Sequence, residues 1–416
     1  MKKKTIVLFH AFTAAFGAFV VGLNLGGMSG AIDLIEAEFS LSSLSKGLVT
    51  ASLMVGCLFG ALFGGRLSDR YGRKPMLMIS ALILAVSAAG SAFLSYSAAP
   101  LVAFRLVGGL GVGVLSAVIP TYITEISPAE MRGTFVSFYQ LFVVVGILAA
   151  YCANWLLAGT ALNWHLMLGL PLVFAVIDIL LLCTLPESPL WLAQRGSSAK
   201  HDNVSFQELF RGRVGYVVFL GSMLAFFQQI TGINVVVNYA PDILGKLGIA
   251  GSNPLLQTVY IGIANLVFTV IALWLVDKFG RKTLLVSGCF GCTLSLAYLV
   301  YAYSVSEPNS VGVLVAILAY IAFFALSLSP LMFVVTSEMY PSRIRGTAMS
   351  LSTGISWVCA FLVVQFYPWL ESTLGTNVAF GIFAVLCLAA GLFIHFLIPE
   401  TKGKALDEIE KELKLN

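Results

Sequence analysis

Twelve apolar runs of roughly 20 residues each, set apart by short charged segments, leave this chain few ways to fold. They lie at 6–31, 46–66, 75–96, 98–123, 134–158, 165–185, 213–240, 255–276, 283–304, 311–337, 347–370 and 377–398. A run of ~20 apolar residues is the length of helix that crosses ~30 Å of hydrocarbon. The chain is 59% hydrophobic and only 11% charged, whereas a soluble domain carries about a quarter charged residues. The reading is an all-α membrane protein in a lipid bilayer. Six runs precede the polar stretch 186–212 and six follow it. The expected organisation is therefore a lobe at 1–185, a short cytoplasmic linker at 186–212, a lobe at 213–398 and a cytoplasmic tail at 399–416. Ser40 to Lys46 and Glu307 to Ser310 read as external turns, and Ser205 to Arg211 has room for at most a short helix.

The basic residues orient these spans. Of the 24 Lys and Arg, all but Lys46, Lys246 and Arg105 fall in the N-terminus, the even-numbered loops, the linker or the tail. The basic side is the cytoplasmic one, which places both termini inside a cytoplasmic (inner) membrane. The net charge of +4 follows from that asymmetry, and no basic folded face points to nucleic acid. The start, Met1 to Lys4 before an apolar run, is too long for a signal peptide and reads as an uncleaved first helix. All seven cysteines sit in apolar spans, and the four histidines are scattered. No metal site or cofactor is expected. Cys289 and Cys292 have CxxC spacing inside a span, and Gly109-Leu-Gly-Val-Gly113 follows no strand. Both read as small residues at helix crossings.

The charged segments repeat. Arg66-Leu-Ser-Asp69-Arg-Tyr-Gly72-Arg73-Lys74 returns as Trp274-Leu-Val-Asp277-Lys-Phe-Gly280-Arg281-Lys282. Glu125 with Arg132 returns as Glu338 with Arg345, and Pro186-Glu187-Ser188 as Pro399-Glu400-Thr401. Internal duplication of this kind marks membrane transporters. The loops involved gather at one membrane face. Acid and base there (Asp69, Arg73, Glu125, Arg132 and Glu187, with Asp277, Arg281, Glu338, Arg345 and Glu400) form the expected cytoplasmic gate, holding the lobes together when the outside is open.

Polar side chains inside the runs mark the expected substrate path, because each is expensive in lipid unless it faces the bundle interior. Gln140, Gln228, Gln229, Asn234 and Asn265 form such a set. Amides donate and accept, as sugar hydroxyls do, so uncharged amides suit a polyol and suit an ion poorly. No Ser/His/Asp set, carboxylate pair or metal cluster suggests an enzyme.

The chain resembles the sugar porters of the major facilitator superfamily over nearly its whole length. The motifs are Gly65 to Lys74, Pro186-Glu187-Ser188-Pro189, Gln228-Gln229-Ile-Thr-Gly232-Ile-Asn234 and Pro399-Glu400-Thr401-Lys402-Gly403. The resemblance implies two six-helix lobes around a central cavity, a small-molecule sugar substrate, most often a hexose or pentose, and alternating access by a monomer. It also implies that Trp357 covers a sugar's apolar face. Phe333 stands where the family has tryptophan, and Tyr239 keeps an aromatic beside Asn238, where relatives have a second tyrosine. Ile147 replaces a common glutamine, and Ser356 a common amide.

Proton-linked members carry an aspartate in the first span near an arginine of the fourth. Here the positions hold Asn24 and Arg105. An amide neither takes up nor releases a proton by ionising in the relevant range, so the expected mode is uniport. Asp178, an acid in the middle of the sixth span, matches no family proton site and is a functional candidate by default. It keeps proton symport as an alternative. A membrane sugar sensor is the alternative of another class. Such a protein is expected to add a signalling segment, whereas this sequence ends at Asn416, soon after the twelfth-span motif.

Overall fold

The computed structural model describes residues 2–128, 132–160, 162–195, 209–245, 253–305, 309–341 and 344–402. Among the described residues, twelve helical segments are long and apolar enough to cross a membrane. They are built from α1 Lys2–Phe39, α2 Ser43–Tyr71, α3 Arg73–Phe93, α4 Ala98–Ile126, α5 Arg132–Leu157, α6 Asn163–Cys183, α8 Gly212–Ile230 with α9 Ile233–Gly245, α10 Pro254–Phe279, α11 Arg281–Ala302, α12 Ser310–Leu326 with α13 Leu328–Met339, α14 Arg345–Leu374 and α15 Thr376–Leu397. A short helix, α7 Pro189–Arg195, follows α6.

Two spans that read as continuous in sequence are broken, each for a local reason. Span seven stops at Ile230 and resumes at Ile233, with Gly232 at φ 94°. Span ten breaks at Ser327, whose φ −128° and ψ −89° are not helical. Pro330 offers no N–H to the carbonyl of Leu326 four residues earlier, so the helix cannot run through unchanged.

The chain forms two compact units. The first holds residues 1–200 together with 237–243 and 252–262; the second holds 201–236, 244–251 and 263–416. In the first, α2 crosses α4 and α1 crosses α5 at paired glycines. A Cβ on Gly56 would strike the backbone of Leu106 and Gly109, and one on Gly60 that of Leu110 and Gly113. Gly22 and Gly146 meet in the same way. Gly109 to Gly113 is thus a helix-packing surface. Close backbone approach of this kind is what holds helices together where lipid supplies no hydrophobic drive. Large apolar side chains such as Leu180, Trp274 and Phe396 remain exposed, as they do on a lipid-facing surface.

Candidate functional site

The repeated charged motifs build the same device in each unit. In the first, Gly72 (φ 109°) ends α2 and starts α3. The Arg73 guanidinium donates through Nη1 to Asp69 (2.7 Å) and through Nη2 to Glu125 (2.8 Å). Glu187 sits over the first turn of α3 and accepts from the backbone N–H of Arg73 (3.0 Å) and of Lys74 (3.2 Å). A carboxylate in that place satisfies orphan donors and complements the helix dipole. Lys74 closes the turn by donating to the carbonyls of Cys183 and Leu185, and Trp191 on α7 donates to the Asp69 carbonyl.

The second unit repeats this around α11. Gly280 has φ 89°, and Glu400 accepts from Arg281 N–H (3.0 Å) and Lys282 N–H (3.1 Å). Arg281 donates to Glu338 at 3.3 Å, and Arg345 to the Tyr340 carbonyl at 3.2 Å. Burial works against the charged form of Glu400. The backbone N–H groups of Lys402, Arg281, Lys282 and Thr401 outweigh it and hold the carboxyl below the usual range. The side chains of Arg132 and Asp277 lie outside the described residues. The described pairs join neighbours within one unit; sequence had shown the charges but not that Glu187 and Glu400 cap helices.

At the other end of α2 the structure assembles a cluster that sequence reading missed. Lys46, 6% exposed, reaches Asp33 (2.9 Å) and Glu36 (2.7 Å) of α1 and Asp242 (3.2 Å) of α9. All four belong to the first unit. Lys46 had stood out only as a basic residue on the wrong side. Tyr239 is fully buried in the same half of α9, and Tyr151 donates to the Val237 carbonyl at 2.9 Å.

The amides of span seven form one network in the second unit. Gln229 donates to Ser356 Oγ on α14 (2.8 Å) and to Gln228 Oε1 (3.3 Å), and accepts from Asn234. Gln228 donates to the carbonyl of Leu328 at 3.1 Å, beside the break in span ten. Trp357 follows Ser356 and is half-buried; Phe333 is 42% exposed on α13. Asn265 on α10 and Gln140 on α5 are half-buried. Ser356, noticed in sequence only as a departure from relatives, is a direct partner of the central amide.

Asn24 and Arg105 line one small cavity in the first unit, with Ser87 and Ser91. It is about large enough for a single water. Arg105 is 5% exposed and donates to the carbonyls of Val49 and Thr50, each at 3.0 Å. Asn24 donates to the Val20 carbonyl at 2.9 Å. Asp178 is fully buried on α6, and neither carboxylate oxygen has a hydrogen-bond partner.

Twelve spans, a helix-capping motif repeated in each unit and an uncharged amide network define a multi-pass membrane transporter of the major facilitator fold. Residues 10–201 and 195–413 match the family described as "Sugar (and other) transporter". The chain is 33% identical to the D-xylose-proton symporter of Escherichia coli K12, over 95% of this chain and 94% of that one. It is 33% identical to the glucose facilitated diffusion protein of Zymomonas mobilis, over 96% of each. The inward-open structure of the xylose transporter XylE from E. coli superposes with a TM-score of 0.85 at 31% identity, covering 99% of both chains. The chain belongs to the sugar transporter family.

Proposed function

We propose that this protein carries a monosaccharide, a hexose or pentose, across a bacterial cytoplasmic membrane by alternating access, as a facilitative uniporter with both termini inside. The observation that carries this reading is the Gln228–Gln229–Asn234–Ser356 network, an array of uncharged donors and acceptors. A sugar hydroxyl exchanges readily with such groups, and the half-buried Trp357 beside them offers an apolar face. Gln140 and Asn265 complete the proposed set of hydrogen-bonding residues. The Arg73 and Arg281 clusters serve the cytoplasmic face and the Lys46 cluster the external one.

Uniport rests on Asn24, whose amide, unlike a carboxyl group, does not ionise in this pH range beside Arg105. In proteoliposomes, labelled sugar is expected to equilibrate without accumulating, and an imposed proton gradient is expected to leave its final level unchanged. Counterflow should persist in a protonophore. Accumulation on external acidification would overturn uniport, while transport of a charged solute with no sugar uptake would overturn the substrate class. Proton symport has one observation in its favour, the isolated acid Asp178.

A further inference from the structure

Asp178 is the described acid with the least to hold it. Its side chain is completely buried in α6, within the membrane span Asn163–Cys183 and nearer its C-terminal end, and both carboxyl oxygens lack a hydrogen-bond partner. Gly17 of α1 lies against it. A Cβ at Gly17 would come within 3.2 Å of Asp178 Oδ2 and within 3.2 Å of Ile119 Cδ1 on α4. The carboxyl therefore lies buried where α1, α4 and α6 meet, opposite a residue with no side chain.

None of the titratable groups described on the helices packed around it hydrogen-bonds to Asp178, and most are engaged elsewhere. On α3, Arg73 pairs with Asp69 and Glu125, and Lys74 with backbone carbonyls. On α4, Arg105 is bound to carbonyls of α2, and Tyr122 to that of Pro186. On α5, Tyr151 donates to Val237, and on α6 itself His165 stacks on Trp164. On α1, His10 lies seven residues before Gly17, while Asp33 and Glu36 face Lys46 and Glu38 accepts from Trp164. Tyr139, Cys152 and Cys183 complete the titratable side chains described on these helices; they, too, form no hydrogen bond to Asp178. An ionised carboxylate without a cation or donor is strongly disfavoured in such a place, because such groups shed their charge by taking up a proton.

We propose that Asp178 is a proton-binding site. Occupied, it is a neutral carboxylic acid that lets α6 close on Gly17 of α1. On release the proton passes to water, and the carboxylate left behind is stable only if water enters between α1 and α6. The site is separate from Asn24 and Arg105 and does not depend on the sugar reading.

Two measurements test it on the purified full-length protein. Infrared difference spectra between Asp178→Asn and parent at neutral pH should show loss of one carbonyl band of a protonated carboxylic acid, a band that shifts in D2O. Gly17→Ala, which crowds the same oxygen, should displace that band. Hydrogen–deuterium exchange of α1 around Gly17 should rise on alkalinisation beyond the intrinsic pH dependence of exchange in the parent and not in Asp178→Asn, which mimics the occupied site. The exchange of the parent alone serves if the variant does not fold. A carboxylate signature at Asp178 at neutral pH, or exchange around Gly17 that follows only the intrinsic pH dependence, overturns the proposal while leaving uniport standing. Loss of proton-driven accumulation in Asp178→Asn would overturn uniport while leaving the proton site standing.

Discussion

Asp242→Asn is a clean probe of the Lys46 cluster, because it removes one carboxylate of three and leaves Lys46 its partners on α1. A hydrogen bond to a charged group contributes about 1.5–3 kcal/mol. Asp242 is 20% exposed, and Asp33 and Glu36 are 46% and 39% exposed, so water replaces part of what is lost. The expected loss is about 1–2 kcal/mol, or roughly 5- to 30-fold in the equilibrium that separates this half of α9 from α1 and α2. Thr50 reports it. That residue is fully buried one turn from Lys46, and its hydroxyl donates to the Lys46 carbonyl at 2.9 Å. A cysteine placed there, in a background without the natural cysteines, should react faster with an impermeant maleimide from the non-cytoplasmic side by that factor. An unchanged rate would show that the cluster is a static element of α1–α2 packing and not a latch.

Two further outcomes follow from the sites. Gln229→Ala should weaken sugar binding by about 1–3 kcal/mol, or roughly 5- to 150-fold, with the melting temperature little changed; direct binding of labelled sugar checks it, and parental affinity would move the site elsewhere. Glu400 has its carboxyl held below the usual range, so its contribution to stability is present above the unfolded-state value and is lost as pH falls through the lower folded value. Melting curves of the parent should therefore decline more steeply than those of Glu400→Gln as pH is taken down through that acid range, and parallel curves would mean that the capping bonds to α11 contribute nothing.

Hydrophobic length is a local property that adds up along the chain, so the twelve spans were legible from residue order alone, as was their division into two sets of six. The duplicated motifs were legible for the same reason, since identity of residue type at fixed spacing needs no coordinates. Gln228, Gln229 and Asn234 stood out because an amide in an apolar run is costly wherever it points. Their partners did not stand out. Gln229 bonds Ser356 on another helix, and nothing in the spacing of either helix announces that meeting.

The breaks at Gly232 and Ser327 were hidden because a broken span is as apolar as an intact one. Only the packed structure brings Asp242 to Lys46, or sets Glu187 over the first turn of α3. Asp178 shows the division most sharply. Sequence identifies an acid inside a membrane helix, but whether such an acid has a partner depends on which faces of α1, α3 and α4 turn toward it. The tertiary structure places Gly17 there and leaves the carboxyl without a donor. Residue types determined what this chain can tolerate in lipid, while helix packing decided which charges are compensated, because compensation depends on contacts a few ångströms long between residues far apart in the chain.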